Sequence, residues 1–198
     1  MSPLIEAILS SSKAMPEGSV LSPKEFLGSN TRAAVDQAFT RLTKAGKLIR
    51  VERGAYVVPV KGRFGSRSPS PESVIKSIAV KKGEEVAPNG AVAANALGLT
   101  TQVPVQEVFF TSGRNRTMKL GNRTIRFTHA PRWQLSLGNR PAGMAVRALA
   151  WIGQAHGQEA LSKIHQKLSK EEWKLLVASR ASFPEWIARL LGEVGHRG

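Results

Sequence analysis

SPKEFLGSNTRAAVDQAFTRLTKAGKLIRVERGAYVV, running from Ser22 to Val58, is the stretch that decides the fold. Ser22 can cap a helix whose first position is Pro23, and Glu25 stands where the carboxylate of a capping box would. That helix is short, because Gly28 permits a sharp turn. Ser29 and Asn30 are both cap-forming residues, and a second helix is expected from about Thr31 to Ala45, stopping at Gly46. Lys47 to Glu52 alternates as a strand, with Leu48, Ile49 and Val51 as its apolar residues. A turn at Arg53–Gly54 returns the chain along Ala55 to Val58. Helix, tight turn, helix and two strands, in this order, predict a winged helix-turn-helix.

The second helix has two unlike sides. At about 100° per residue, Thr31, Val35, Ala38, Phe39, Leu42 and Ala45 fall broadly together, and all but Thr31 are apolar. The opposite arc collects Asn30, Ala33, Gln37, Thr40, Arg41 and Lys44, with Asp36 at its margin. In a helix-turn-helix the N-terminal half of the second helix enters the major groove. Gln37 suits adenine and Arg41 suits guanine, while Asn30, Thr40 and Lys44 are better placed for phosphates. Thr31 completes this DNA-facing set at the helix start, and Arg32 can take either role. A polar helical arc is most often only a solvated face; the capped helix, glycine turn and wing beside this one favour docking onto DNA. For Arg50, Arg53 and Tyr56 on the wing, phosphate or minor-groove contact and plain hairpin surface stand level.

The charge supports this direction. The 198 residues carry 29 basic and 14 acidic side chains, a formal net charge of +15 and a sequence pI near 11.0. Such a field attracts polyanions, nucleic acid first and acidic membranes second. Divided along the chain, the net charge is +3 over residues 1–60, +8 over 61–132 and +4 over 133–198, so a DNA footprint should extend beyond the reading helix. With no cysteine, disulfides and thiolate chemistry are excluded, which fits a cytoplasmic protein. No apolar run approaches the ~20 residues that span a bilayer, and no signal-peptide pattern opens the chain. Asp36 is the sole aspartate. Catalytic metal centres on nucleic acid need clustered carboxylates, so an enzyme is not expected, and neither is a metal or cofactor. His129, His156, His165 and His196 are scattered without zinc-site spacing. Trp151, Trp173 and Trp186 recur in amphipathic segments and read as core; Trp133 can pack or stack on a base.

Outside the deciding stretch, Pro3 opens a helix with Leu4, Ile5, Ile8 and Leu9 on its apolar face. Residues 61–71, Lys-Gly-Arg-Phe-Gly-Ser-Arg-Ser-Pro-Ser-Pro, read as a basic linker whose Arg63 and Arg67 can follow the phosphate backbone. Helices are then expected from Ser70 to Lys82 and from Gly90 to Leu97, and a strand from Val105 to Thr111. A hairpin should turn at Gly121–Asn122 and carry Arg114, Arg116, Lys119, Arg123 and Arg126 as one basic surface or two. A helix from Asn139 to His156 and three further helical segments follow, two of them opening at Ser169-x-x-Glu172 and Ser182-x-x-Glu185. The expected class is α+β. Residues 1–60 form the winged helix-turn-helix, 61–71 the linker, and 72–198 a mixed α/β domain ending in a helical layer.

Three stretches carry a family resemblance. They are Ala94-Asn95-Ala96-Leu97-Gly98-Leu99-Thr100-Thr101-Gln102-Val103-Pro104, Val108-Phe109-Phe110-Thr111-Ser112-Gly113, and Leu120-Gly121-Asn122-Arg123-Thr124-Ile125-Arg126-Phe127-Thr128-His129-Ala130. Together with the wing text from Lys44 to Tyr56, they resemble the AbiEi-type antitoxins of abortive-infection toxin–antitoxin systems. The resemblance implies a bacterial antitoxin that represses its own operon by binding inverted repeats in the promoter. It also implies a nucleotidyltransferase-like toxin as functional partner, neutralised without a stable complex. Only the DNA-reading role carries over, onto the winged positions named above. The rival reading is a basic RNA-associated protein that uses the hairpin patch.

Overall fold

The structure is a computed structural model and describes residues 2–28, 30–63 and 65–195. Ser29, read as a cap, and His196 lie outside the described residues. The chain is α+β and divides into two compact units, residues 1–84 with 117–125, and residues 85–116 with 126–198.

The first unit opens with helix α1 (Pro3–Lys13), strand β1 (Val20–Leu21) and a single 3-10 turn (Pro23–Phe26). Helix α2 (Arg32–Lys44) and strands β2 (Ile49–Glu52) and β3 (Ala55–Val57) follow. The three strands form an antiparallel sheet in the order β1-β3-β2, with Val20 opposite Val57 and Ile49 opposite that same residue on the other edge. The expected short α-helix is only this 3-10 turn. Ser22 Oγ accepts from Lys24 N at 3.4 Å, but the Glu25 carboxylate turns away to the Lys81 ammonium, so the capping box does not close. Thr31 caps α2, its Oγ1 accepting from Ala34 N at 3.3 Å. Val35, Ala38, Phe39 and Leu42 are its buried face, as the periodicity predicts; Thr31 and Ala45 are exposed because they lie at or past the helix ends.

Residues 61–71 are not an irregular linker. Strands β4 (Val60–Gly62) and β5 (Gly65–Arg67) pair across them as a small antiparallel hairpin. Backbone pairing and the bond from Arg67 Nη1 to Glu17 Oε1 (3.2 Å) order a segment whose composition alone suggests freedom. Helix α3 (Pro71–Lys82) then docks in this first unit. Its Ser77 Oγ accepts from Val20 N at 2.9 Å, and Lys82 pairs with Glu52 at 2.5 Å. Gly18 makes the approach possible: at φ +81°, a Cβ there would stand 2.4 Å from Ser73 Cβ. No side chain fits at that position.

The second unit begins with β6 (Val86–Pro88), which the sequence did not suggest, and helix α4 (Gly90–Ala96). Strands β7 (Glu107–Thr111), β8 (Arg116–Leu120) and β9 (Arg123–His129) follow. The β8–β9 hairpin has its tip in the first unit; in the second, β7 lies between β6 and β9. Five helices complete the unit: α5 (Arg132–Leu135), α6 (Pro141–Ile152), α7 (Gly157–Lys167), α8 (Lys170–Ala178) and α9 (Glu185–Gly195). The helix expected to reach His156 breaks at Gly153.

The core of this unit is α4 against α6, and small residues set its spacing. A Cβ on Gly90 would come within 2.6 Å of Arg147 O and Trp151 Cβ, so the helices touch backbone to backbone there. Arg147 itself is 0 % exposed. Its Nη1 donates to Gln134 O (3.1 Å) and Gly138 O (2.9 Å), while Nε and Nη2 have no hydrogen-bond partner among the described residues. Burial without a carboxylate lowers its pKa to about 10, which leaves it cationic at neutral pH. Ser169 Oγ accepts from Glu172 N at 3.3 Å, but the Glu172 carboxylate caps a different helix, accepting from Ala142 N at 2.9 Å and from Arg140 Nη2 at 2.6 Å. At the second expected box, Ser182 Oγ donates to Ser179 O and Glu185 pairs with Arg189, so no box forms.

Two measurements check these packings. Phe39 is fully buried between Phe26 and Tyr56, so Phe39→Ala should cost about 3–5 kcal/mol of stability in denaturant unfolding; a loss under about 1 kcal/mol would refute its central place. The Glu172 carboxyl is held below the ordinary carboxylate range, first by Ala142 N–H and then by the Arg140 guanidinium. A depressed carboxyl adds stability that is complete above the unfolded pKa of about 4.3 and is lost as pH falls through the lower folded value. Glu172→Gln should therefore be less stable than the parent at neutral pH, with the gap closing in acid. A gap of constant size across that range would contradict the assignment.

Candidate nucleic-acid interface

Helix α2 presents two polar stripes. Gln37, Arg41 and Lys44 recur at helical spacing, are exposed, and have no hydrogen bond or ion pair among the described residues. Arg32, Asp36 and Thr40 form the other stripe, one turn apart and turned toward the β2–β3 turn. Arg50 stands on β2 opposite Tyr56, and Arg53 sits in the turn. Arg32, Asp36, Thr40, Arg50, Arg53 and Tyr56 surround one open depression of about 310 Å³. Three guanidiniums and one carboxylate thus converge where the helix meets the strand pair, a net positive hollow sized for a phosphate or the edge of a base.

The reason α2 turns this way is its buried side. Phe39 lies 4.7 Å from the Tyr56 ring and 5.7 Å from the Phe26 ring, centroid to centroid, and both contacts are tilted. With Phe39 inward, helical geometry sends Gln37, Arg41 and Lys44 outward.

Not every residue expected to face DNA is free to do so. Asn30 Nδ2 donates to Phe26 O at 3.2 Å and closes the turn before α2, keeping one amide hydrogen for another partner. Thr31 uses its oxygen as the helix cap. Thr40 Oγ1 donates to Asp36 O at 2.8 Å; a phosphate oxygen only accepts, so Thr40 reaches phosphate only by giving up that bond. Arg32 Nε donates to Asp36 Oδ2 at 2.8 Å. Arg67 is tied to Glu17 and to Ser68 O, whereas Arg63 is exposed.

The basic hairpin is divided. Met118, Leu120, Ile125 and Phe127 point inward, so in β8 Thr117 and Lys119 face out, and in β9 Thr124 and Arg126 do. Arg116 takes the inward parity: its guanidinium lies 4.4 Å from the Phe127 ring centroid and its Nη1 donates to Arg114 O at 3.3 Å. It is a packing residue before it is a ligand contact. Arg114 is exposed at the entrance to β8. Both belong to the second unit, and α2 belongs to the first.

His129 Nδ1 lies 2.9 Å from Gly113 O, and the His165 ring packs tilted against Trp173, with centroids 4.3 Å apart. Among the described residues, no three His, Asp or Glu side chains gather as a metal would need. Trp133, Trp173 and Trp186 pack on the core of the second unit. Trp151 departs from that expectation: it is 44 % exposed and lines an open depression of about 380 Å³ with Leu99, His156 and Lys163. What the sequence reading missed at the interface is Asp36. Its i,i+4 spacing from Arg32 was visible, but the periodicity placed it at the margin of the arc, and only the fold turns that margin toward Arg50 and Arg53.

No curated protein matches the chain. A family model does, over residues 7–176, which is most of the length: the chain belongs to DUF6088, a family of unknown function.

Proposed function

We propose that this protein is a sequence-specific, double-stranded-DNA-binding transcriptional repressor, and that its first unit works as a winged helix-turn-helix. The observation that carries the reading is the exposed, unpartnered stripe of Gln37, Arg41 and Lys44 on a capped helix whose other polar stripe, Arg32, Asp36 and Thr40, shares a depression with Arg50 and Arg53 of the strand turn. The succession α1, β1, turn, α2, β2, β3 and the sheet order β1-β3-β2 support it, since they leave one long face of α2 uncovered next to a two-stranded projection. The net charge of +15 supplies the long-range attraction to a polyanion.

The biological setting comes from the resemblance to AbiEi-type antitoxins over residues 94–130 and the wing. On that ground the chain is an antitoxin of a phage-defence operon that represses its own promoter in the cytoplasm. Its functional partner is a nucleotidyltransferase-like toxin that it counteracts without a lasting complex. Its work is binding, not catalysis. The deciding experiment is footprinting on the DNA upstream of the protein's own gene: protected inverted repeats support the reading, and an unprotected promoter with equal affinity for any duplex rejects it.

Two variants test the parts. Arg41→Ala should weaken binding to the protected site by about 1–3 kcal/mol more than binding to bulk duplex; equal loss on both would reduce Arg41 to a phosphate contact. Arg63→Ala should lower the slope of log affinity against log salt by about one phosphate contact. Arg67→Ala should lower it less, because Glu17 already engages that guanidinium. Identical slopes in parent and Arg63→Ala would remove the 61–71 hairpin from the interface.

A further inference from the structure

Asp36 is an unexpected residue for a helix that faces DNA. Its carboxylate repels phosphate, and it is the protein's single aspartate. It nevertheless lines the open depression between α2 and the β2–β3 turn and holds Arg32 by a hydrogen bond from Nε to Oδ2 at 2.8 Å. The pair is 58 % and 50 % exposed, so it adds little to stability. Its orientation is also the weaker one for a helix. The cation is at the first helical position, where the helix dipole disfavours it, and cation before anion is the weaker i,i+4 order. Helix stability therefore does not account for it.

Arginine reading does. A guanidinium has five N–H donors in a planar fork. With Nε committed to Asp36, the two Nη groups of Arg32 are left together on the free edge of the fork, and neither has a partner among the described residues. That edge matches guanine, whose O6 and N7 accept two parallel N–H bonds in the major groove. Arg32 stands at the N-terminal end of α2, the end that enters the groove in this docking mode. A long side chain clamped before it meets its ligand loses less freedom on binding than a loose one. Arg41 is unclamped.

We propose that Asp36 is a positioning residue for base recognition: it orients Arg32 so that the Nη edge reads a guanine, making Arg32, ahead of Arg41, the principal guanine-reading side chain. This inference rests on the duplex-DNA reading above and adds the base read and the residue that enforces it.

The test is selection from a randomised duplex library with the full-length protein and its Asp36→Ala, Asp36→Glu and Arg32→Lys variants. Single-base-pair substitutions of the winning duplex are then titrated. The parent should prefer one G·C pair that Asp36→Ala and Arg32→Lys read roughly 5- to 100-fold less selectively. Asp36→Glu should restore part of the preference. Asp36→Ala should bind unrelated duplex as well as the parent or better, since a repulsive charge is gone, with the salt slope and the thermal midpoint unchanged. A purely structural role would instead lower the midpoint and every affinity alike, and would overturn the proposal. So would an Asp36→Ala variant that keeps the full preference at every position. If the parent itself enriches no duplex, the DNA-reading function fails along with this inference. That outcome is told apart by the parent's behaviour alone.

Discussion

Phe39 is the side chain on which the first unit depends. It has no exposed surface, and it is held between the rings of Phe26, from the turn before α2, and Tyr56, from the strand after it. Aromatic pairs of this kind contribute about 0.5–1.5 kcal/mol each beyond the area they bury. Their larger effect is geometric. A helix anchored by one large residue at its centre cannot rotate without emptying that space. The outward direction of Gln37, Arg41 and Lys44 is thus set by a residue that touches none of them.

Around that anchor, the first unit is extended by contacts that the three-stranded sheet and α2 alone would not make. Helix α3 is tied on by Ser77 to Val20, by Lys81 to Glu25 and by Lys82 to Glu52, and Gly18 leaves the room for it. Glu25 and Glu52 are thereby each paired with a lysine of α3. The acidic residues of this unit are largely occupied in this way: Glu17 by Arg67, Asp36 by Arg32. On α2, the charged side chains left unengaged are Arg41 and Lys44. The net charge is diffuse in the sequence and becomes directional only through these pairings.

The second unit solves a different packing problem. Its α4–α6 contact is close because both helices are built of small residues, with Ala93, Ala94, Ala142, Ala145 and Ala148 fully buried. The Arg147 side chain of α6 is buried as well, gripping the carbonyls of Gln134 in α5 and Gly138 after it and lacking a carboxylate. Burying an unpaired guanidinium costs free energy, offset in part by the carbonyls it satisfies. Glu172 likewise joins α8 to α6 by supplying the helix cap that Arg140, at that helix's N-cap position, does not provide.

Much of this protein follows from local chemistry. The caps at Ser22 and Ser70, the buried face of α2, the turns at Gly46 and Gly54 and the alternation of β8 and β9 are properties of neighbouring residues, and short-range sterics and periodicity predict them; the α2 cap falls on Thr31 and not on the expected Asn30, whose side chain donates to Phe26 O. Interactions between residues distant in sequence lie beyond such rules. Glu25 and Glu172 have capping-box spacing, but their carboxylates find stronger partners that only folding brings near. The Gly- and Ser-rich stretch after Val60 reads as free chain until strand pairing and Glu17 order it. Arg116 reads as surface charge until Phe127 offers its ring. The sequence by itself determined which side of α2 is apolar, because that is a matter of angle along one helix. Tertiary structure alone decided that Asp36 and Arg32 look toward the β2–β3 turn, because that direction is set by what Phe39 is packed against.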